Sequence, residues 1–162
     1  MYLNIKDIND NLPKVKGLIL VPFLVEHAMD ISAGEFAGYS AQRIVGVRAL
    51  LESQAQHGFA YTCFLYGEPV ACFGCVPLWN GVAEMWSVIG DTARTRPIAM
   101  TKIGITLADM AEISMGLHRL QITVKTSDAR AISWGKAIGF ISECTMKQYS
   151  EDKQDYDLMV RR

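Results

Sequence analysis

The chain has 162 residues, half of them hydrophobic and a fifth charged, and its formal net charge is −1. This length suits a single domain over residues 1–162 with a sizeable core, and the near-zero charge argues against a nucleic-acid partner. The most apolar run, residues 17–25, is too short to span a bilayer and follows acidic residues unlike those of a signal peptide, so we expect a cytoplasmic protein with no membrane partner.

The N-terminal segment predicts short elements. Residues 2–8 alternate enough to predict a short strand, and Pro13 then breaks the local structure. Residues 17–21 predict either a second strand or the lead-in to a helix through 25–29. Both alternatives stay open from the pattern alone.

The next segment predicts a loop followed by a helix. Two glycines favour a loop over residues 32–40. Ser40 is a plausible N-cap for a helix over 41–56, because its hydroxyl can accept a hydrogen bond from an unpaired amide of the first turn. Gly58 is the expected end of that helix.

Three consecutive strands follow, and they predict an antiparallel meander. Aromatic and β-branched residues indicate strands over 59–66 and 69–79. The pair Asn80-Gly81 comes next, and Asn-Gly between two apolar runs is a strong hairpin signal. Residues 82–90 then predict the third strand.

The C-terminal half predicts alternating helices and strands. A helix over about 97–115 has apolar residues at the spacing of one helical face, and Gly116 is expected to end it. The strand that follows is expected to run parallel to the third strand of the meander. The remaining predicted elements are this strand over 118–124, a short helix over 128–138, and closing strands over 141–150 and 155–161. The order predicts a mixed sheet with helices on both faces.

The cysteines and histidines predict no metal site. Four cysteines are expected to be reduced thiols, namely Cys63, Cys72, Cys75 and Cys144. Cys72 and Cys75 have the spacing of a zinc or redox pair, but on a strand residues three apart point to opposite faces. Buried thiols are therefore the favoured interpretation. The three histidines are scattered and show no metal-ligand spacing.

Motifs in the C-terminal half occur in a fixed order. Residues 83–85 lie on the third meander strand, residues 94–99 open the long helix, and residues 128–132 open the short helix, which ends in Ile-Gly-Phe at 138–140. Together they resemble the GCN5-related N-acetyltransferase (GNAT) superfamily. The resemblance implies an α/β (mixed α+β) fold whose central sheet is mostly antiparallel, with about six to seven strands.

The resemblance also implies a cofactor site. Acetyl-CoA would be the co-substrate, without a metal, and backbone amides at the start of the long helix would hold its pyrophosphate. The implied cofactor-binding residues are Trp86, Ser87, Val88, Ile89, Arg94, Thr95, Arg96, Pro97, Ile98, Ala99, Met100, Asp128 and Trp134. Pro97 stands where the family has a central glycine, and it lacks one of the amide hydrogens that bind phosphate.

Arg94, Arg96 and Lys102 form a small cationic cluster near the start of the long helix. Arginine suits bidentate contact with phosphate, although solvated loop charge is the alternative. Asp128 is expected to cap the short helix, and the resemblance adds support of the pantetheine arm.

The resemblance points to Glu84 as the catalytic base. Alternation on the strand puts it on the face of Val82, Trp86 and Val88, where partial removal from water would favour proton uptake. A solvated Glu is the alternative. Many family members have, before Leu-Gly-Phe, a Tyr that acts as the general acid and protonates the departing thiolate. Trp134 and Gly135 stand there in this chain, so Tyr149 could be the second catalytic residue only if the fold brings it close.

The resemblance therefore implies an N-acetyltransferase that moves an acetyl group from acetyl-CoA to a primary amine of a small molecule or protein. The alternative is a catalytically weak or inactive protein of the same fold, acting as a structural or binding module in a phage particle, which would make it virion-associated. The high apolar content allows a homodimer without requiring one.

Overall fold

The structure is a computed structural model that describes residues 4–31 and 46–162. Its helices are α1 (Ile5–Asn11), α2 (Val25–Asp30), α3 (Val47–His57), α4 (Asp91–Arg94), α5 (Pro97–Met115) and α6 (Ala129–Ile138). Its strands are β1 (Leu18–Pro22), β2 (Phe59–Leu65), β3 (Glu68–Trp79), β4 (Val82–Ile89), β5 (Arg119–Lys125), β6 (Ile141–Met146) and β7 (Tyr156–Arg161).

One seven-stranded sheet organises these elements, in the order β1-β2-β3-β4-β5-β7-β6. Neighbouring strands are antiparallel except β4 and β5, which are parallel. The mixed, mostly antiparallel sheet expected from the sequence is therefore confirmed. The meander of β2, β3 and β4 and the parallel return of β5 are also as predicted.

The predicted strand over 2–8 is wrong for its described part, because the chain forms helix α1 from Ile5. The Asn4 side chain caps this helix by accepting a hydrogen bond from the Lys6 amide at 3.0 Å. The Asn9 side chain then exchanges two hydrogen bonds of 2.9 Å with the backbone of Leu20 in β1. These hydrogen bonds pair the Asn9 side chain with the backbone of β1 and hold α1 against the sheet. Ile8, the neighbouring residue, is fully buried.

The second N-terminal prediction offered a strand or a helix lead-in, and both elements exist as β1 and α2. The predicted loop over 32–40, the Ser40 cap and residues 41–45 of the next helix lie outside the described residues. Helix α3 ends before Gly58, as expected. A Cβ at Gly58 would lie 1.7 Å from the Cys75 carbonyl oxygen, so only glycine lets α3 end this close to β3.

Two apolar clusters cover the two faces of the sheet. The larger one lies beneath α1, α5 and α6, and from β4 it includes Ala83 and Met85. The smaller one lies beneath α2 and α3, and from β4 it includes Trp86 and Val88. Alternation along β4 thus sends neighbouring side chains to opposite layers. We call these sides the α5 face and the α2–α3 face.

The closing hairpin is shorter than predicted. Strand β6 stops at Met146 rather than at residue 150, because Asp155 draws the chain into a turn. Its carboxylate accepts hydrogen bonds from the Gln148 amide at 3.0 Å and the Lys147 ammonium at 2.8 Å. Within residues 4–31 and 46–162, no helix is both long and apolar enough to cross a membrane.

Candidate active site

The ladder between β4 and β5 is short, and this opens the sheet. It consists of the pairs Val82–Arg119, Ala83–Leu120 and Glu84–Gln121. Beyond Glu84, β4 continues along β3, while β5 continues along β7 to Lys125. A notch therefore lies between residues 85–89 of β4 and residues 122–125 of β5, and Glu84 stands at its closed end. We refer to it as the β4–β5 notch.

Glu84 is partly buried on the α2–α3 face, the face that its alternation with Trp86 and Val88 predicted. Its Oε2 accepts a hydrogen bond of 2.8 Å from the side-chain amide of Gln121, its partner across the ladder. Gln121 Oε1 in turn accepts a hydrogen bond of 3.0 Å from Arg119 Nε. The carboxylate is therefore held by a defined partner rather than surrounded by bulk solvent.

Arg119 is itself fixed by a carboxylate on the edge strand. Its two terminal nitrogens donate to the two carboxylate oxygens of Glu143 at 3.1 and 2.6 Å, a bidentate pair. These hydrogen bonds raise the pKa of Arg119 and lower that of Glu143. A continuous polar chain thus runs from β6 through β5 to Glu84.

Tyr149, from the turn after β6, lies within electrostatic reach of Glu84. Burial raises the pKa of its phenol, the Glu84 carboxylate raises it further, and interaction with the Thr123 side chain partly lowers it. Its ring also lies 5.4 Å, centroid to centroid, from that of Tyr156. The Glu84 charge therefore influences Tyr149, while 52% of the Tyr149 surface stays exposed.

The segment between β4 and α5 is more ordered than the loop that the sequence suggested, since helix α4 occupies its first part. Three of its amides donate to nearby carbonyls, namely Arg94 to Gly90 (3.2 Å), Thr95 to Thr92 (3.1 Å) and Arg96 to Ala93 (2.9 Å), and in the first turn of α5 the Met100 amide donates to Arg96 (3.0 Å). The amide of Met100, expected to be free for phosphate, is thus engaged. Those of Ile98 and Ala99 have no partner within the described ranges.

Helix α5 begins at Pro97, whose missing amide hydrogen costs nothing at the first helical position. Ile98 is 73% exposed, so the start of α5 opens to solvent. The nearby Arg96 and Lys102 side chains are also exposed. The two free amides, the positive end of the helix dipole and these cations form an anion-binding geometry.

Asp128 links the end of α4 to the start of α6. Its Oδ1 accepts the Ala131 amide at 3.0 Å and caps α6, as predicted. Its Oδ2 lies 3.9 Å from the Arg94 guanidinium, and both side chains are largely buried. Arg94 is therefore directed towards α6, which reduces its availability to a phosphate.

The β4 residues expected at the cofactor divide between the two faces. Trp86 packs edge-on against Phe23, with ring centroids 5.5 Å apart, and over Gly74, where a Cβ would lie 2.2 Å from the indole. The side chains of Trp86 and Val88 therefore belong to the smaller core, so a ligand in the notch would meet their backbone. Ser87 and Ile89 alternate towards the α5 face.

Trp134 in α6 lies on the α5 face, with its ring centroid 6.2 Å from that of Phe73. Its indole Nε1 is buried and has no hydrogen-bond partner in the part of the chain that the structure describes. Next to it, Gly135 lets α6 approach the sheet closely, since a Cβ there would lie 3.1 Å from Ile122 Cδ1. No side-chain hydroxyl can come from position 135.

Cys72 and Cys75 are buried, as predicted, and Cys144 is exposed. Cys63, Cys72 and Cys75 are buried free thiols, and burial raises the pKa of each to about 12. Cys72 lies in the smaller core and Cys75 in the larger one, on opposite faces of the sheet. Among the described residues, no three His, Cys, Asp or Glu side chains are grouped to hold a metal ion.

Comparison by sequence finds no similar protein, whereas comparison by structure finds several. No family model matches the chain, and no curated protein matches it. Ard1 from Thermoplasma volcanium superposes with a TM-score of 0.70 at 13% identity, covering 90% of this chain and 97% of that one. RimL, a ribosomal α-N-protein acetyltransferase in complex with coenzyme A, gives 0.69 at 14% identity and covers 93% and 96%.

A small-molecule enzyme shows the same likeness. A variant of the spermidine N-acetyltransferase SpeG from Vibrio cholerae superposes with a TM-score of 0.64 at 14% identity, covering 91% of this chain and 94% of that one. Identities this low show architecture alone. The seven-stranded sheet and these superpositions together establish that the chain has the fold of the GNAT acetyltransferases.

Proposed function

We propose that this protein is an N-acetyltransferase that moves an acetyl group from acetyl-CoA to a primary amine of a protein or small molecule in the cytoplasm. The observation that carries the proposal is the end of the β4–β5 ladder at Glu84, which leaves a carboxylate at the closed end of an open notch. Two structural neighbours are named for acetylation of amines, one on ribosomal protein and one on spermidine, and the first contains coenzyme A.

The β4–β5 notch suits the pantetheine arm of the cofactor, and the start of α5 suits its pyrophosphate. Backbone groups of residues 85–89 that face away from β3 can hydrogen-bond the pantetheine arm. The pyrophosphate would meet the amides of Ile98 and Ala99, with Arg96 and Lys102 as nearby cations. The buried, unpartnered Nε1 of Trp134 is a further donor on the α5 face.

The chemistry asks little of the protein beyond position and proton transfer. Glu84, directly or through a water, takes a proton from the attacking amine. The amine nitrogen bonds to the thioester carbonyl carbon, and the carbon–sulfur bond then breaks. The departing thiolate takes a proton from the Tyr149 phenol, whose raised pKa keeps that proton available at neutral pH.

The test combines calorimetry with acetyl-CoA and a free-thiol release assay over a panel of amines. We expect micromolar binding and amine-dependent thiol release. Glu84→Gln keeps an oxygen for the Gln121 hydrogen bond but cannot act as a base, so we expect kcat to fall about 10²- to 10⁴-fold with binding of acetyl-CoA retained. Glu151→Gln, in the exposed turn, is the matched control and should leave kcat unchanged.

Binding no tighter than millimolar, or wild-type kcat in Glu84→Gln, would contradict the proposal. The first result would favour the alternative, an inactive structural or binding module of the same fold, including one carried by a phage particle. Pro97, which lacks an amide hydrogen to donate to phosphate, is the feature that favours that alternative.

A further inference from the structure

We propose that Gln121 is a positioning residue that fixes the Glu84 carboxylate at the closed end of the β4–β5 notch, through a hydrogen bond whose direction Arg119 dictates. This inference rests on the proposed function, because it assigns a role to a residue that acts through the base. Gln121 lies directly opposite Glu84 in the last pair of the ladder.

The direction of the hydrogen bond follows from donor chemistry. Arginine side chains carry donors and no acceptor, and they stay protonated in proteins. Arg119 Nε therefore requires the carbonyl oxygen of the Gln121 amide, which it contacts at 3.0 Å. The NH₂ group of Gln121 must then face Glu84, and it contacts Oε2 at 2.8 Å. A flipped amide would put two donors against each other at Arg119.

Arg119 can dictate this orientation because it is itself held on the other side. The bidentate pair with Glu143 fixes the plane of its guanidinium. Glu143 falls at the register shift between Ser142 and Cys144 of β6, and such irregularities redirect side chains. Donation thus runs outwards from Arg119, on one side to Glu143 and on the other side through Gln121 to Glu84.

For catalysis, the consequence is that one oxygen of the base is occupied. Gln121 holds Oε2, so Oε1 is the oxygen that remains for the amine or for a bridging water. A carboxylate free to rotate would divide its time among orientations, and misplacement of a catalytic group by about 1 Å can cost about a hundredfold in rate.

The experiment replaces Gln121 in two ways. Gln121→Glu keeps the size of the side chain and still accepts from Arg119, but it places a second carboxylate against Glu84, so the two compete for one proton and Glu84 is no longer held as a free base. Gln121→Met keeps the length and removes both polar contacts. We expect both variants to lower kcat roughly ten- to a hundredfold, with the Kd of acetyl-CoA and its KM unchanged within about twofold. Gln154→Glu, in the exposed turn, is the matched control.

A double-mutant cycle separates positioning from mere packing. Because Gln121 acts through Glu84, we expect Gln121→Met to cause no further loss of kcat in the Glu84→Gln background. Wild-type kcat in Gln121→Met, or losses that multiply in the double variant, would overturn this inference and leave the proposed function standing. Wild-type kcat in Glu84→Gln would overturn the base itself and this inference with it.

Discussion

At the scale of single residues, Tyr149 makes a prediction about pH. Its phenol pKa lies above the usual 10.0, first because of burial and then because of the Glu84 charge, so ionisation is shifted to higher pH and the proton is retained through neutrality. We expect Tyr149→Phe to lower kcat about a hundredfold without changing the Kd of acetyl-CoA. The difference in phenolate absorbance between wild type and Tyr149→Phe should have its titration midpoint above pH 10.0.

Tyr156→Phe is the control, since this neighbouring phenol also has a pKa raised by burial but is not assigned a catalytic part. Wild-type kcat in Tyr149→Phe would remove Tyr149 from the mechanism and leave the thiolate to be protonated by solvent. The assignment of Glu84 would be unaffected.

The sequence could place Glu84 on a face but could not supply its partners. Alternation of side chains is a property of a single strand, so it was predictable that Glu84 shares a face of the sheet with Trp86 and Val88. The contact with Gln121 depends on the register between β4 and β5, and the nearness of Tyr149 depends on where the closing turn lies. Register and turn position come from packing of the whole sheet, which a single sequence does not encode locally.

At the scale of elements, the start of α5 predicts a gain of function. Pro97→Ala restores one amide hydrogen beside those of Ile98 and Ala99. A hydrogen bond to a charged acceptor is worth about 1.5–3 kcal/mol, so we expect acetyl-CoA to bind roughly ten- to a hundredfold more tightly by calorimetry. Pro77→Ala, at an exposed position of β3, is the control. Unchanged affinity would mean that the pyrophosphate does not reach the first turn of α5.

The cap of α6 predicts a graded effect on stability. Asp128→Ala removes the acceptor for the Ala131 amide, and loss of such a cap costs about 0.5–2 kcal/mol. Asp128→Asn keeps a side-chain oxygen and should recover most of that loss. Urea unfolding of the two variants measures the difference. Equal destabilisation would instead assign the stabilising effect to the ion pair with Arg94.

Elements with strong local signals were predictable, and those that depend on distant contacts were not. Helix α5 runs from Pro97 to Met115 and ends at Gly116, whose φ of 59° suits glycine. Helix α1 was mistaken for a strand because its decisive contact, Asn9 with Leu20, joins residues eleven positions apart. Helix α4 was missed because a single turn leaves too little periodicity to detect.

At the scale of the whole molecule, the proposed cofactor should stabilise the native state. A ligand that binds only the folded protein adds about 2.7 kcal/mol at a free concentration of a hundred times Kd. For a protein of this length that corresponds to a rise in Tm of about 5–10 °C. Scanning calorimetry with acetyl-CoA measures this rise. Adenosine is the control, because it lacks the diphosphate, whereas desulfo-CoA retains the diphosphate and cannot serve as the control. An equal rise with adenosine would contradict pyrophosphate binding at α5.

The short ladder between β4 and β5 also bears on the mechanics of the sheet. Three residue pairs join the half formed by β1 to β4 to the half formed by β5, β7 and β6. Beyond those three pairs, the two halves are held together by packing of side chains beneath α5 and α6 rather than by backbone hydrogen bonds. A ligand bound in the β4–β5 notch would connect the two halves. Amide hydrogen exchange along residues 85–89 and 122–125 should therefore slow together when the ligand is bound.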